Sequence, residues 1–165
     1  MHSLTHSITV PFDIDETFSF FNRPENLSKV TPKSLHFYMM TPPPITMQVG
    51  AVFDYSIRLG VIPLHWRSLI TEYRPPFEFV DIQLKGPYKF WHHRHSFESV
   101  DGGTKVTDTV HYDLGFGVFG KVINYLVVRH QLASIFSFRD SISENISLAR
   151  KQLDRKSTRL NSSHQ

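Results

Sequence analysis

Two histidines and two aspartates with strand-like spacing are the residues of this sequence best suited to chemistry. His93 and His95 are separated by one residue, so they share one face of any strand that contains them. Asp81 precedes them and Asp108 follows them, each within reach of a hairpin. A carboxylate beside an imidazole can form a structural buried pair, orient a ligand, set the tautomer of a general acid or base, or contribute to a metal site.

A hairpin predicted around Asp101-Gly102 determines which of these residues meet. This residue pair is favoured in two-residue type I′ turns, whose central positions both have positive φ. The resulting register sets His95 opposite Asp108 and Trp91 opposite Tyr112 on one face. The other face carries charged and hydroxyl-bearing residues, as expected for a face in contact with water.

The preceding segment predicts a second hairpin with a loop at residues 86–88. Its register sets Asp81 opposite His93 and Phe79 opposite His95. The inner face of the sheet would then hold two candidate pairs, His95 with Asp108 and His93 with Asp81, surrounded by aromatic side chains.

The spacing of apolar residues predicts the elements that position these side chains. A capping box of Asp13 and Glu16 begins one short helix, and Pro24 begins another. Strands are predicted near residues 4–10, 35–40, 51–59, 64–73, 77–84, 91–100 and 103–112, and a long helix from about residue 120 to residue 153. This order implies an antiparallel sheet curved around the last helix, with a cavity between the two.

The composition excludes several classes of protein. The chain has 165 residues and no cysteine, which suits one domain in a reducing cytoplasm, without disulfides or thiolate metal sites. No segment approaches the roughly 20 apolar residues of a membrane span. The net charge of +3 falls to +1 without Lys156 and Arg159 near the C-terminus, so charge alone does not predict nucleic-acid binding.

The C-terminal segment differs from the rest of the chain. Residues 154–165 are polar and lack helical periodicity, and KSTRLNSSHQ resembles translated vector or adapter sequence that is not native to the protein. We therefore expect a single domain over residues 1–153, followed by a disordered tail.

Several longer motifs carry a resemblance to a known family. They are RPENLSKVTP at 23–32, PLHWRSLI at 63–70, PPFEFVDIQLKGPYKFWHHRH at 75–95 and DTVHYDL at 108–114. Residues 3–150 resemble the helix-grip fold of the START and birch-pollen-allergen superfamily, also called SRPBCC, and more narrowly its bacterial polyketide-cyclase-like, ligand-binding members. The resemblance implies an α+β fold, a seven-stranded curved antiparallel sheet with two short helices wrapped around a long C-terminal helix. It also implies a hydrophobic-ligand cavity and a functional link to NAD-dependent epimerase-like proteins, although this chain has no G-x-G-x-x-G motif of its own.

We therefore expect the protein to bind a lipid, isoprenoid or polyketide-like molecule without a cofactor. We expect no metal, because no third ligand is fixed by local spacing. Arg129 and Arg139 on the last helix are expected to be solvated, and His130 to cover the cavity mouth. The candidate ligand-binding residues are Trp66, Phe79, Asp81, Trp91, His93, His95, Phe97, Asp108, Tyr112 and His130.

Two other functions remain open from the sequence. One is a cyclase or dehydratase, in which His95 moves a proton and Asp108 sets its tautomer. The other is a regulatory module that binds a partner protein through the pocket.

Overall fold

A seven-stranded antiparallel sheet forms the larger layer of the protein. The structure is a computed structural model, and it describes residues 1–59, 61–115, 117 and 127–162. The strands are β1 (His2–Val10), β2 (Tyr38–Met39), β3 (Val52–Leu59), β4 (Ile62–Arg74), β5 (Glu78–Lys85), β6 (Phe90–Val100) and β7 (Gly103–Asp113). Their order across the sheet is β1-β7-β6-β5-β4-β3-β2. The pairing of β4 with β5 contains two register shifts, and extra residues of this kind bend strands and increase their twist.

The registers predicted for the two hairpins are confirmed. Strands β6 and β7 pair without a register shift from Phe90 opposite Asp113 to Val100 opposite Gly103, and this register sets His95 opposite Asp108. In β5 and β6, Asp81 pairs with His93 and Phe79 with His95. The side chains of these residues therefore share the inner face of the sheet.

The turn between β6 and β7 differs from the expected type. Among the described residues other than glycine, only His36 has a positive φ, so Asp101 does not. The prediction of a type I′ turn is therefore wrong. Positive φ falls instead on Gly102 at 82° and on Gly103 at 157°. The register survives because the loop still has two residues, and loop length with alternation of polarity fixes it.

The helices precede and follow the sheet. Helix α1 (Ile14–Phe21) begins after Asp13, whose carboxylate accepts a hydrogen bond from the Glu16 amide at 2.8 Å. Two 3₁₀ helices follow at Pro24–Val30 and Lys33–Leu35. The strand predicted over residues 35–40 is wrong beyond Tyr38–Met39, because the preceding 3₁₀ helix ends with His36 in the left-handed region.

The long C-terminal helix, α2 (Arg129–Ser162), packs along β1. Its predicted start near residue 120 lies outside the described residues. It continues past the predicted end at residue 153, where a disordered tail was expected, because no glycine or proline interrupts residues 129–162. Its side chains from Lys151 to Lys156 are exposed. In the described part of the chain, no helix has the length and apolar character needed to cross a membrane.

Two clusters of buried apolar side chains fill the space inside the sheet. The first cluster contains Trp66, Trp91, Val110, Tyr112, Leu114, Val128, Leu132 and Phe136, so it joins the sheet to α2. The second cluster contains Val10, Phe18, Phe53, Ile70, Phe79, Phe97 and Val106, so it joins the sheet to α1. Tyr55 packs against both clusters.

A close backbone approach at Gly103 yields the first prediction. A Cβ at this position would lie 1.9 Å from the Val10 carbonyl oxygen, and the φ of 157° also disfavours a side chain. Gly103→Ala should lower the free energy of unfolding by about 1–3 kcal/mol through overpacking and strain. Gly102→Asn is the control, because Asn tolerates positive φ and a Cβ there meets nothing within 4 Å. Urea denaturation of both variants would contradict the prediction if Gly103→Ala were the milder change.

Candidate functional site

A row of polar side chains crosses the inner face of the sheet between the two apolar clusters. This row, called the polar belt below, consists of Ser68 on β4, Asp81 on β5, His93 and His95 on β6, Asp108 on β7 and Arg139 on α2. Strand alternation explains the row, because the paired registers bring every second residue of neighbouring strands to the same face. On β6, the belt histidines lie between Trp91 of the first cluster and Phe97 of the second.

Asp108 is the most enclosed charged group of the belt, with 2% of its surface exposed. Its Oδ1 atom forms a hydrogen bond of 2.9 Å with His93 Nε2. His95 Nδ1 also lies 2.9 Å from Oδ1, but it makes no hydrogen bond with any described residue, so this contact is an electrostatic one. The Oδ2 atom of Asp108 accepts a hydrogen bond of 2.8 Å from Arg139 Nη1.

Asp81 faces the opposite edges of the same two imidazoles. Its Oδ2 atom lies 3.2 Å from His95 Nε2, in a hydrogen bond, and 3.7 Å from His93 Nδ1. Its Oδ1 atom lies 3.5 Å from the Ser68 hydroxyl.

The two pairs expected from the sequence therefore form one cluster. Each imidazole lies between both carboxylates, and the hydrogen bonds join His93 to Asp108 and His95 to Asp81. Both predicted pairs are in contact, but each imidazole also reaches the carboxylate of the other pair. Side chains lean along their strands, so diagonal neighbours in a sheet come within reach.

Burial and the neighbouring charges together shift the pKa values of the cluster, and for Asp108 and His95 the charges outweigh burial. Burial by itself would raise the pKa of Asp108, but Arg139 and the two imidazoles hold it well below its usual range. Burial would lower the pKa of His95, but the two carboxylates outweigh burial and raise it. Burial and the neighbouring His95 lower the pKa of His93. Opposite charges thus lie next to each other in the cluster, which offsets part of the cost of burying them.

A cavity of about 160 Å³ lies beside the belt. Its lining contains members of both apolar clusters together with belt residues, so it runs past polar groups and apolar walls alike. Tyr55 also lines it, and burial with the nearby Asp81 raises the pKa of this hydroxyl well above its usual range. The Tyr55 hydroxyl therefore remains protonated and available as a hydrogen-bond donor.

The structure brings most of the sequence-predicted site residues to this cavity. Its lining includes six of them, namely Trp66, Phe79, Asp81, Trp91, His93 and His95. Asp108, Phe97 and Tyr112 are buried but do not line it, and His130 is exposed on α2 and does not line it. Whether any of these residues binds a ligand stays a prediction.

Arg139 is the site residue that sequence reasoning missed. It was expected to be solvated, but it is 7% exposed, lines the cavity and bonds to Asp108. A signal was present in the sequence, because Leu132, Phe136, Arg139 and Ser143 recur at the spacing of one helix face. A basic residue in an apolar stripe calls for a buried acidic partner.

Comparison with known proteins identifies the fold. No protein-family model matches the chain, and a search of curated proteins found no significant match. Among solved structures, TTHA0849 from Thermus thermophilus superimposes with a TM-score of 0.69 at 13% identity, covering 90% of this chain and 99% of that one. The major latex-like protein 151 from Panax ginseng gives 0.59 at 12% identity, covering 86% and 97%. The chain has the helix-grip fold, as predicted.

A third structure resembles only part of a longer protein. The nucleoside-diphosphate sugar epimerase from Corynebacterium glutamicum gives a TM-score of 0.51 at 25% identity, covering 65% of this chain and 24% of the epimerase chain. The similar region is therefore a small part of that protein.

The buried contact between Arg139 and Asp108 yields the second prediction. Arg139→Met should lower the free energy of unfolding by about 3–5 kcal/mol, because it leaves the Asp108 carboxylate buried without its strongest counter-charge. Arg129→Met on the same helix is the control, because Arg129 is exposed and its loss should cost no more than about 0.5 kcal/mol. Urea denaturation measures both.

A double variant separates charge from packing. Combining Arg139→Met with Asp108→Asn removes the uncompensated charge, so the two losses should be less than additive by about 1 kcal/mol or more. Strict additivity would show that Arg139 acts through its packing alone.

Proposed function

We propose that the protein binds a small, largely hydrophobic molecule that carries a hydroxyl or carbonyl group. The observation that supports this is the cavity, whose aromatic and aliphatic walls are interrupted by the polar belt. Binding sites for small molecules are typically apolar cavities with a few convergent polar groups. A lipid, an isoprenoid or a polyketide-like molecule fits this description.

The position of the belt indicates where on the ligand the polar group would lie. Because the belt lies between the two apolar clusters, a ligand in contact with both would carry its polar group between apolar parts. Burying a polar group without a hydrogen-bond partner costs about 1–3 kcal/mol, as judged from mutations in proteins. The belt would therefore favour ligands whose polar group lies between two apolar parts. The Tyr55 hydroxyl, whose pKa burial raises well above its usual range, supplies a donor for an oxygen acceptor.

Filling the cavity yields the third prediction. Fluorescent fatty-acid analogues should bind with roughly micromolar affinity, about −8 kcal/mol. Ile57 lines the cavity and packs against the first cluster, so Ile57→Trp should weaken binding about tenfold or more by occupying the ligand's space. Arg58→Trp is the matched control, because the neighbouring Arg58 is exposed and does not line the cavity. Fluorescence titration measures both.

The outcome against the proposal is equally specific. A wild-type protein that binds no apolar probe, and that carries no small molecule in native mass spectrometry after purification from its own host, would not be a carrier. Equal weakening by both variants would show that the probe binds outside the cavity.

A second candidate function is a cyclase or dehydratase, favoured by the imidazoles that line the cavity. His95 contacts two carboxylates and faces the ligand space, so it can exchange a proton with a bound molecule. Asp108 would act as a positioning residue that holds the ring and stabilises its charge.

The fourth prediction separates the enzyme from the carrier. If the protein is an enzyme, His95→Gln should leave probe affinity within a few-fold and lower turnover of a poly-β-keto substrate about 100-fold or more. If it is a carrier, His95→Gln should instead weaken binding, and no turnover should exceed the rate without protein. His92→Gln, on the outer face of the same strand, is the control and should change neither quantity.

Three further expectations remain proposals. They are membership of the bacterial polyketide-cyclase-like subgroup, association with an epimerase-like protein, and a cytoplasmic location. A role as a partner-binding regulatory module would be favoured if the cavity accepted peptide side chains in place of free lipids.

A further inference from the structure

The two belt histidines and Asp81 converge on one point at the cavity wall. We propose that Asp81, His93 and His95 bind a divalent transition-metal ion, zinc or ferrous iron, and that Asp108 orients both imidazoles from behind. One donor atom from each of the three residues lies within 4.8 Å of the others. The third ligand, which local spacing does not supply, comes from pairing β5 with β6. This inference concerns the polar belt alone and does not depend on the hydrophobic ligand.

The distances suit a metal that replaces the proton between these groups. His95 Nε2 and His93 Nδ1 lie 3.2 Å and 3.7 Å from Asp81 Oδ2. Zinc binds nitrogen and oxygen donors at about 2.0–2.1 Å, which separates two donors of a tetrahedral site by about 3.3 Å. The present spacings lie on either side of that value, so only small side-chain movements are needed.

Asp108 supplies the hydrogen-bond acceptor that metal-bound histidines usually have. Its Oδ1 atom lies 2.9 Å from the far nitrogen of each imidazole, Nε2 of His93 and Nδ1 of His95. A histidine bound to a metal through one nitrogen carries its proton on the other, and that proton is usually donated to a carboxylate or carbonyl. Metal binding would therefore give His95 Nδ1, which has no hydrogen-bond partner among the described residues, a proton to donate to Asp108.

The donor set points to the class of metal. Two imidazoles and one carboxylate are typical of catalytic zinc and of non-haem ferrous iron, whereas calcium and magnesium prefer oxygen donors. Three protein ligands leave a coordination position open. Asp81, His93 and His95 line the cavity and Asp108 does not, so the open position faces the cavity.

The charge of the loaded site limits what can occupy that position. With both imidazoles neutral, a divalent ion, Arg139 and two carboxylates leave a formal charge of +1 in a buried environment. An anionic fourth ligand, such as a carboxylate or an enolate oxygen, would neutralise it. The metal would thus favour cavity ligands that carry an acidic group.

The experiment uses the full chain, stripped with a chelator and titrated with zinc alone by isothermal calorimetry. We expect one zinc per chain, and binding about 100-fold weaker or absent in His95→Gln and in Asp81→Asn. Asp108→Asn should weaken binding by about 10–100-fold, the usual effect of removing a carboxylate that orients a ligand. Substitution of the wild-type site with Co²⁺ should give the intense visible absorption of a four- or five-coordinate ion, a readout that needs no variant to fold.

A matched control excludes binding by surface histidines. His92 and His111 face each other on the outer side of the same strands, with ring centroids 6.1 Å apart, and could bind zinc adventitiously. The double variant His92→Gln/His111→Gln should retain one zinc per chain and the Co²⁺ spectrum. Loss of binding in this control, survival of binding in a folded His95→Gln protein, or a weak six-coordinate Co²⁺ spectrum in the wild type would overturn the proposal.

Discussion

The burial of the Asp108 carboxylate in the inner face of the sheet is the constraint that the rest of the structure must satisfy. A carboxylate that is 2% exposed loses its water, and the effective penalty for one buried ion is several kcal/mol unless partners replace that water. The sheet provides two imidazoles from the neighbouring strand. The full positive charge comes from Arg139, so the charge balance inside the sheet requires the C-terminal helix to be in place.

This requirement also explains how the helix is aligned on the sheet. Apolar contacts between α2 and the first cluster are non-directional and would tolerate sliding by part of a turn. Polar contacts on the same helix do not. Arg139 bonds to Asp108, Asp140 contacts His6 at 2.9 Å, and the Ser143 hydroxyl donates to the Thr9 carbonyl at 2.9 Å. The belt residues that line the cavity therefore share a cluster with one of the three polar contacts that hold the helix in position.

Features that depend on local interactions could be predicted from the sequence, whereas features that depend on contacts between distant residues could not. Strand alternation and loop length predicted the β6–β7 register correctly, because both signals are local, even though Asp101 does not adopt the expected left-handed conformation. The joining of two pairs into one cluster was not predictable, since it depends on how side chains lean along three strands. Arg139 was missed because its partner lies 31 residues away, in a different layer. A helix face is visible in a sequence, but the group it meets is not.

The contact between Ser143 and Thr9 has a consequence for the behaviour of the protein in solution. β1 is a nine-residue strand at the edge of the sheet, and such an edge offers backbone groups to any strand that comes alongside. The hydroxyl of Ser143 occupies one of these backbone acceptors, and α2 packs along the strand. The helix thus shields the edge from strands of other molecules. Detachment of the helix would expose this template, so partial unfolding of this protein should lead to self-association by strand addition.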